Sequence, residues 1–501
     1  MKHQILLLLA FSSLTVSAQA ETDSTATHRR LPGGMTLTVE GSATLSSGDF
    51  SPLWFSANRY GLASVRNNSG YQRATLTRSL QNDSAHSWKF GFGADVAIAE
   101  NHERTVIIQQ AYAEASWKQI HFTIGSKAQE METQSADLSS GALAFGINAR
   151  PIPQIRLDVD WFAIPGTNGW WQWKFHGSYG FLTDGHWQEQ WAAPDTRYTR
   201  HTLYHEKALY WKIGRTDLFP LSYEIGLRMA SQFGGTSYNI TSTRLGNENQ
   251  LTDIKHPTNL RAFWDVLTCQ GSDATDGSDP NTSGNHLGSY IMALTYHAGP
   301  WQARAYWERF FEDQSMLTVQ YGIRDMLIGG EVRTPHNPFV DGACLEFITT
   351  TNQSGAVYHD RTDRLPDKMN GRDNYYNHQL FPGWQHYGFT LGNPFITSPL
   401  YNQNHTLTFL NNRIKAWHIA LTGQPTSAWR WRILASFTRN WGTYAHPYAD
   451  RLSQQYFLAE STYHPRWLQG WSATGGLAID HGSLTGNNTG VQITIRKTFE
   501  L

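Results

Sequence analysis

The stretch Trp88–Glu100, WKFGFGADVAIAE, alternates with period two. Trp88, Phe90, Phe92, Ala94, Val96 and Ile98 fall on one face, and Lys89, Gly91, Gly93, Asp95, Ala97 and Ala99 on the other. A strand sends successive side chains to opposite sides, so one face suits an apolar surrounding and the other a polar interior. IRLDVDW repeats the pattern, with Ile155, Leu157, Val159 and Trp161 set against Arg156, Asp158 and Asp160. In a soluble sandwich those charges would face bulk water; in a barrel they can pair across a lumen. Period alone leaves both folds open.

Composition separates them. Past the N-terminus no run approaches the roughly 18 to 20 apolar residues of a membrane helix. Yet aromatics make up 13% of the chain, including 20 Trp and 22 Tyr, with 43 Gly and only 16% charged residues, against about 25% in soluble domains. Many aromatics and glycines without a membrane helix point to a closed, antiparallel, all-β transmembrane barrel of the outer-membrane kind. A net charge of −1 gives no attraction to nucleic acid. The start MKHQILLLLAFSSLTVSAQAE, with Lys2, an apolar run Ile5–Leu14 and Ala18-Gln19-Ala20, reads as a secretory signal peptide over 1–20. No cysteine follows the cleavage pattern, which argues against a lipid anchor. A flexible segment is expected over 21–34 and the barrel over 35–501.

Connections alternate in length. QIHFTIG follows closely on IIQQAYAEASW, and SYIMALTYHAGPWQARAYWERF turns at Ala298-Gly299-Pro300 between two alternating arms. Long polar segments stand near 270–287 and 350–395, the asymmetry of barrels with short turns at one end and long extracellular loops at the other. At about 10 residues per strand the chain has room for roughly 16 to 20 strands. The end, GVQITIRKTFEL, is a final amphipathic strand with Val491, Ile493, Ile495, Phe499 and Leu501 on one face. SPLWFSANRYGLAS is not strand-like, and a short helix is expected near 51–61.

Four blocks, SPLWFSANRYG, LSSGALAFGINARPIPQIRLDVDWFAIPG, YHEKALYWKIG and GRDNYYNHQLFPGWQHYGFTLGNPF…NNRIKAWHIALTG, resemble the Wzi capsule-assembly family of outer-membrane proteins. They run from about residue 50 to the C-terminus in the family's order. The resemblance implies an 18-stranded outer-membrane barrel with a short helical plug element, exposed on the surface of a Gram-negative cell. It implies a non-enzymatic lectin that binds capsular polysaccharide and helps assemble or attach the capsule. The partners it implies are capsular or other surface polysaccharide, outer-membrane lipid and barrel-assembly machinery, with capsule export components as further candidates. The alternative is an outer-membrane porin or sugar channel.

A polysaccharide-holding surface needs flat aromatic faces and short planar polar groups. Residues 371–395 hold seven Phe, Tyr or Trp among turn formers. Asp373, Asn374, Tyr375, Tyr376, Asn377, His378, Trp384 and Tyr387 are therefore the candidate polysaccharide-binding residues, with His386 beside them. The same aromatics would equally serve to pin a long loop into the barrel.

Other clusters read more simply. Trp170, Trp171 and Trp173 fit an interfacial aromatic girdle. His201 and His205 would sit about 13 Å apart along a strand, too far to share a metal, so His205-Glu206-Lys207 is expected in a lumenal charge network. Asp273, Asp276, Asp279 and Asn281 lack the spacing of a calcium loop. Cys269 and Cys344 are either one disulfide or two separate thiols. No nucleophile elbow, phosphate loop, zinc signature or dinucleotide fingerprint occurs, so no catalytic residue, metal or cofactor is expected.

Overall fold

The computed structural model describes residues 34–83, 86–241, 250–270, 284–312, 324–335, 337, 339–353, 357–358, 368–369 and 373–501. The expected signal peptide, nearly all of the 21–34 segment and the loop of Asp273, Asp276, Asp279 and Asn281 lie outside the described residues.

The alternating segments pair edge to edge into an 18-stranded antiparallel sheet. In chain order its strands are β1 (Met35–Ser47), β2 (Ser69–Arg78), β3 (Trp88–Glu100), β4 (Val106–Trp117), β5 (Ile120–Ser126), β6 (Pro153–Ala163), β7 (Trp171–Phe181), β8 (Leu203–Ile213) and β9 (Leu221–Phe233). They continue as β10 (Asn285–Ala298), β11 (Trp301–Glu312), β12 (Met326–Arg333), β13 (Gly342–Thr349), β14 (Ile414–Thr426), β15 (Trp429–Gly442), β16 (Pro447–Tyr463), β17 (Trp471–Gly482) and β18 (Asn488–Glu500). β1 pairs with β2 on one side and with β18 on the other, from Thr36↔Glu500 to Ser47↔Thr489. That seam closes the barrel and leaves no open edge, which a wall in lipid requires because lipid offers its backbone no hydrogen bonds.

The apolar face of each strand looks outward. On β3, Phe90, Val96 and Ile98 are exposed while Gly91, Gly93, Asp95, Ala97 and Ala99 are buried. β6 keeps this pattern only in part. A bulge between Val159 and Phe162 shifts the alternation, so Phe162 packs beside the outward Trp173 and Phe175. Trp161 turns inward against Ala208, Tyr210 and Ile291, contrary to the face that strict alternation gives it. Exposed Trp88, Trp117, Trp171, Trp211, Trp301 and Trp429 all lie at strand ends on the short-turn side, where they form the expected girdle.

Short turns such as 118–119, 299–300 and 427–428 share one end with the closing Leu501–Met35 contact. The long connections, 48–68, 127–152, 182–202, 234–284 and 350–413, leave from the other end. Three of them fold back into the lumen. The first carries the short helix α1 (Leu53–Ser56), whose four residues are all buried. The second, 127–152, descends to the short-turn end and returns. At its lowest point Asp137 accepts from Arg333 and Arg430, each at 2.6 Å, from the bottom ends of β12 and β15. The third is 373–412. Together they bring Trp54, Leu143, Phe145, Tyr376, Trp384, Phe395 and Phe409 into one core with inward wall residues such as Tyr306, Phe310 and Tyr456.

Wall carboxylates hold this plug by its backbone. Glu308 accepts from the Leu143 and Ala144 amides at 2.7 and 3.0 Å. Glu346 accepts from Ser140 N at 2.8 Å and Ser139 Oγ at 2.6 Å. Glu331 accepts from Ser135 N at 2.8 Å, and Asp480 from Leu53 N at 2.9 Å. Irregular backbone away from water needs partners of this kind.

The expected charge network is split across the wall. Glu206 faces inward and accepts from Arg156, Arg228 and Tyr204 at 3.0, 3.0 and 2.7 Å. His205 and Lys207 instead face outward, because neighbours on a strand point to opposite sides. There they lie under the helix α2 (Leu260–Thr268). Lys207 donates to Val266 O at 3.0 Å, and His205 stacks on Tyr179, which donates to Phe263 O. His201 precedes β8 altogether. The two thiols are separate: Cys269 packs with Met229 and Phe311, and Cys344 lies in the lumenal core beside Tyr306.

Candidate functional site at the long-loop rim

The eight candidate residues do not act together. Tyr375, Tyr376 and Trp384 are each 0% exposed. Tyr375 and Tyr376 set their rings edge-on to Phe310, and Trp384 lies against Phe145 and Tyr204. Their polar tips are also used inside. Tyr375 donates to Asp325 at 3.0 Å, Tyr376 donates to Leu143 O, and Trp384 Nε1 donates to Ala144 O at 2.6 Å. Burial pushes both phenols far above their ordinary range. A ring with no accessible face cannot stack on a sugar. These three lock the plug, which corrects their assignment as a saccharide surface. Gly392 shows how tight the lock is: a Cβ there would collide with the Tyr376 hydroxyl and Leu143 O.

Tyr387 is also placed elsewhere. It is half-buried under the Arg150 guanidinium, 4.1 Å from its ring centroid, and packs among Trp187, Leu400 and Phe389. Asp373 donates its backbone N–H to Gln353 O at 3.0 Å and is half-buried.

The remaining candidates, Asn374, Asn377 and His378, line a cavity of about 570 Å³ at the long-loop end. Four segments build it: 195–197, 239–241, Asn374 with 377–379, and 406–408. A small rim sheet fixes the first two, pairing Tyr198 with Tyr238 and stacking their rings at 4.8 Å. Asn239 then takes a left-handed φ of 57° and donates to Thr196 O at 3.1 Å. The third and fourth are tied by Asn377, whose side chain acts like a strand partner of Phe409. It accepts from Phe409 N at 2.8 Å and donates to Phe409 O at 2.9 Å. Asn377 is therefore committed to the fold, whereas Asn374 is exposed. Asn374 Oδ1 accepts from Asn377 and Asn412, at 3.0 and 2.7 Å, and its own amide nitrogen has no acceptor among the described residues.

Amides and hydroxyls dominate the lining, with Ile240 and Leu407 as apolar patches. Arg197 enters beside them and donates to His378 O. Burial pushes its guanidinium down to about 10. Such a chamber offers hydrogen bonds to hydroxyl-rich ligands from several directions. Arg197, Asn239 and Thr408 were invisible in the sequence. They come from three separate loops, and no motif or spacing connects them.

No protein-family model matches the sequence, and no curated protein matches it. A solved structure shares its fold. A carbohydrate-binding β-barrel, the Wzi outer-membrane protein involved in group 1 capsule assembly in Escherichia coli, aligns with 99% of this chain and 89% of its own, at 13% identity and a TM-score of 0.56. OccK5 of Pseudomonas aeruginosa covers 93% of this chain and 98% of its own, at 9% identity and a TM-score of 0.47. A BenF-like porin from Pseudomonas fluorescens covers 93% and 98%, at 10% identity and 0.45. The chain thus has a Wzi-like barrel fold.

Proposed function

We propose that this chain is a non-enzymatic outer-membrane protein that binds polysaccharide at the cell surface and helps hold a capsule or similar glycan layer there. The supporting observation is the pairing of a filled lumen with a polar chamber at the rim. A diffusion channel needs a continuous water path, and here three inserted segments pack an aromatic core across the barrel. Long loops belong to the extracellular end of such barrels, so the chamber at 374–379 would face outward. The likeness of fold to the E. coli capsule-assembly barrel points the same way. Barrel-assembly machinery, outer-membrane lipid and capsule export components belong to this reading as partners.

The porin or sugar-channel reading requires the plug to move. Single-channel recording in planar bilayers separates the two, since a steady porin-sized conductance from the unmodified protein would overturn the lectin reading. The cellular test is the ratio of bound to released polysaccharide in a deletion strain with the gene restored as control. Polysaccharide made but shed supports attachment. Unchanged bound and released amounts would overturn it.

A further inference from the structure

The rim chamber is lined by one guanidinium, that of Arg197. Among the described residues, Arg197 forms no ion pair; its partner is the neutral carbonyl of His378. A guanidinium has five N–H donors in a planar fork, and one neutral acceptor leaves most of them unused. Removing such a charge from water without an anion is costly, and an anion that enters the chamber would relieve that cost. The other charged side chain lining the chamber is Asp195, which is exposed and held in a turn with a φ of 60°. It forms no ion pair with Arg197, which lines the cavity beside it.

The fork is surrounded by groups suited to hydroxyls. Asn374 presents a free amide nitrogen, and Asn239 and Thr408 lie on adjoining walls. The chamber's roughly 570 Å³ is within the size of small-ligand sites and fits a short stretch of glycan. A carboxylate on a sugar ring would meet the fork with two parallel N–H···O bonds while neighbouring hydroxyls meet the amides.

We infer that the rim chamber selects acidic saccharides, with Arg197 pairing a sugar carboxylate and Asn374 donating to an adjacent hydroxyl. This rests on the polysaccharide-binding reading and names the ligand class of that site.

The test uses the full-length protein in detergent and polysaccharide purified from the surface of the producing cell. One portion is kept native. In the other, carbodiimide and borohydride reduce the carboxylates to primary alcohols. Wild type, Arg197→Gln and Arg197→Lys are titrated against both, with heat-modifiable gel mobility checking that each variant remains folded. The expected result is native polysaccharide bound roughly ten- to a hundredfold more tightly than reduced. Arg197→Gln should erase that preference, and Arg197→Lys should restore part of it. Equal binding of native and reduced polysaccharide, unaltered by Arg197→Gln, would overturn the acidic assignment and leave the lectin reading standing. No binding of either form by wild type would overturn both.

Discussion

Wall and plug meet the same requirement in opposite ways. Each must satisfy its backbone polar groups away from water. The wall does it by repetition: every strand pairs with two neighbours, and β1 meets β18 over twelve consecutive positions. The plug has almost no regular structure. Its backbone is held one group at a time by wall side chains, with Glu308, Glu331 and Glu346 accepting its amides and His418 Nε2 standing 2.8 Å from Leu138 O. A repetitive solution tolerates local change, because the neighbouring pairs persist. A bespoke one fails wherever a single partner is lost.

The strongest break of this contrast removes a plug segment outright. Ser126 and Pro153 are already cross-strand partners, so residues 127–152 can be replaced by a tight two-residue turn. The barrel should still form and keep its heat-modifiable mobility, while planar-bilayer recordings change from closed to a porin-sized conductance. A barrel that stays closed would show that α1 and 373–412 seal it alone. Next in size is Trp384→Ala, which removes a fully buried aromatic and should cost about 3–5 kcal/mol, read as a fall in thermal midpoint. An unchanged midpoint would mean that Trp384 does not pack the plug, and would return it to the list of stacking residues.

A smaller effect is expected at the tip of 127–152. Burial raises the Asp137 carboxyl, but Arg333 and Arg430 outweigh it and hold it below its ordinary 3.8. A carboxylate depressed on folding contributes stability above the unfolded value and loses it as pH falls through the folded one. Asp137→Asn should therefore lower the thermal midpoint at neutral pH and at about pH 5. The gap to wild type should close only below 3.8. A gap that closes near pH 6 would assign the effect to another group. The smallest expected change in stability is at the rim. Asn374→Ala removes an exposed side chain and should alter stability by no more than about 0.5–1 kcal/mol, yet weaken polysaccharide binding severalfold. Loss of the folded band on gels would place Asn374 with the packing residues.

How far the sequence reached follows this same division. The alternation in Trp88–Glu100 placed each side chain of β3 on its correct face. The paired turns and the Trp170–Trp173 cluster gave the strand ends and the girdle. It went wrong where one residue breaks the period, as at the β6 bulge that turns Trp161 inward. It went wrong again where facing matters, as for His205 and Lys207, which sit beside Glu206 in the chain and across the wall from it in space. In 373–387 the composition announced aromatic work and left open whether the rings served packing or binding. Burial assigned Tyr375, Tyr376 and Trp384 to packing and left Asn374 and His378 at the chamber.

What the sequence determined by itself is therefore the periodic part: a chain whose apolar residues recur every second position, with no run past the N-terminus long enough for a membrane helix, reads as a closed wall with one greasy face. That information is local, because a strand's two faces are set by its own covalent geometry. What only the tertiary structure decided is which loops enter the lumen, which carboxylate holds which amide, and that Arg197, Asn239, Asn374 and Thr408 share one chamber. Those contacts join residues as much as 427 positions apart. They depend on distances across the barrel, which no local pattern encodes.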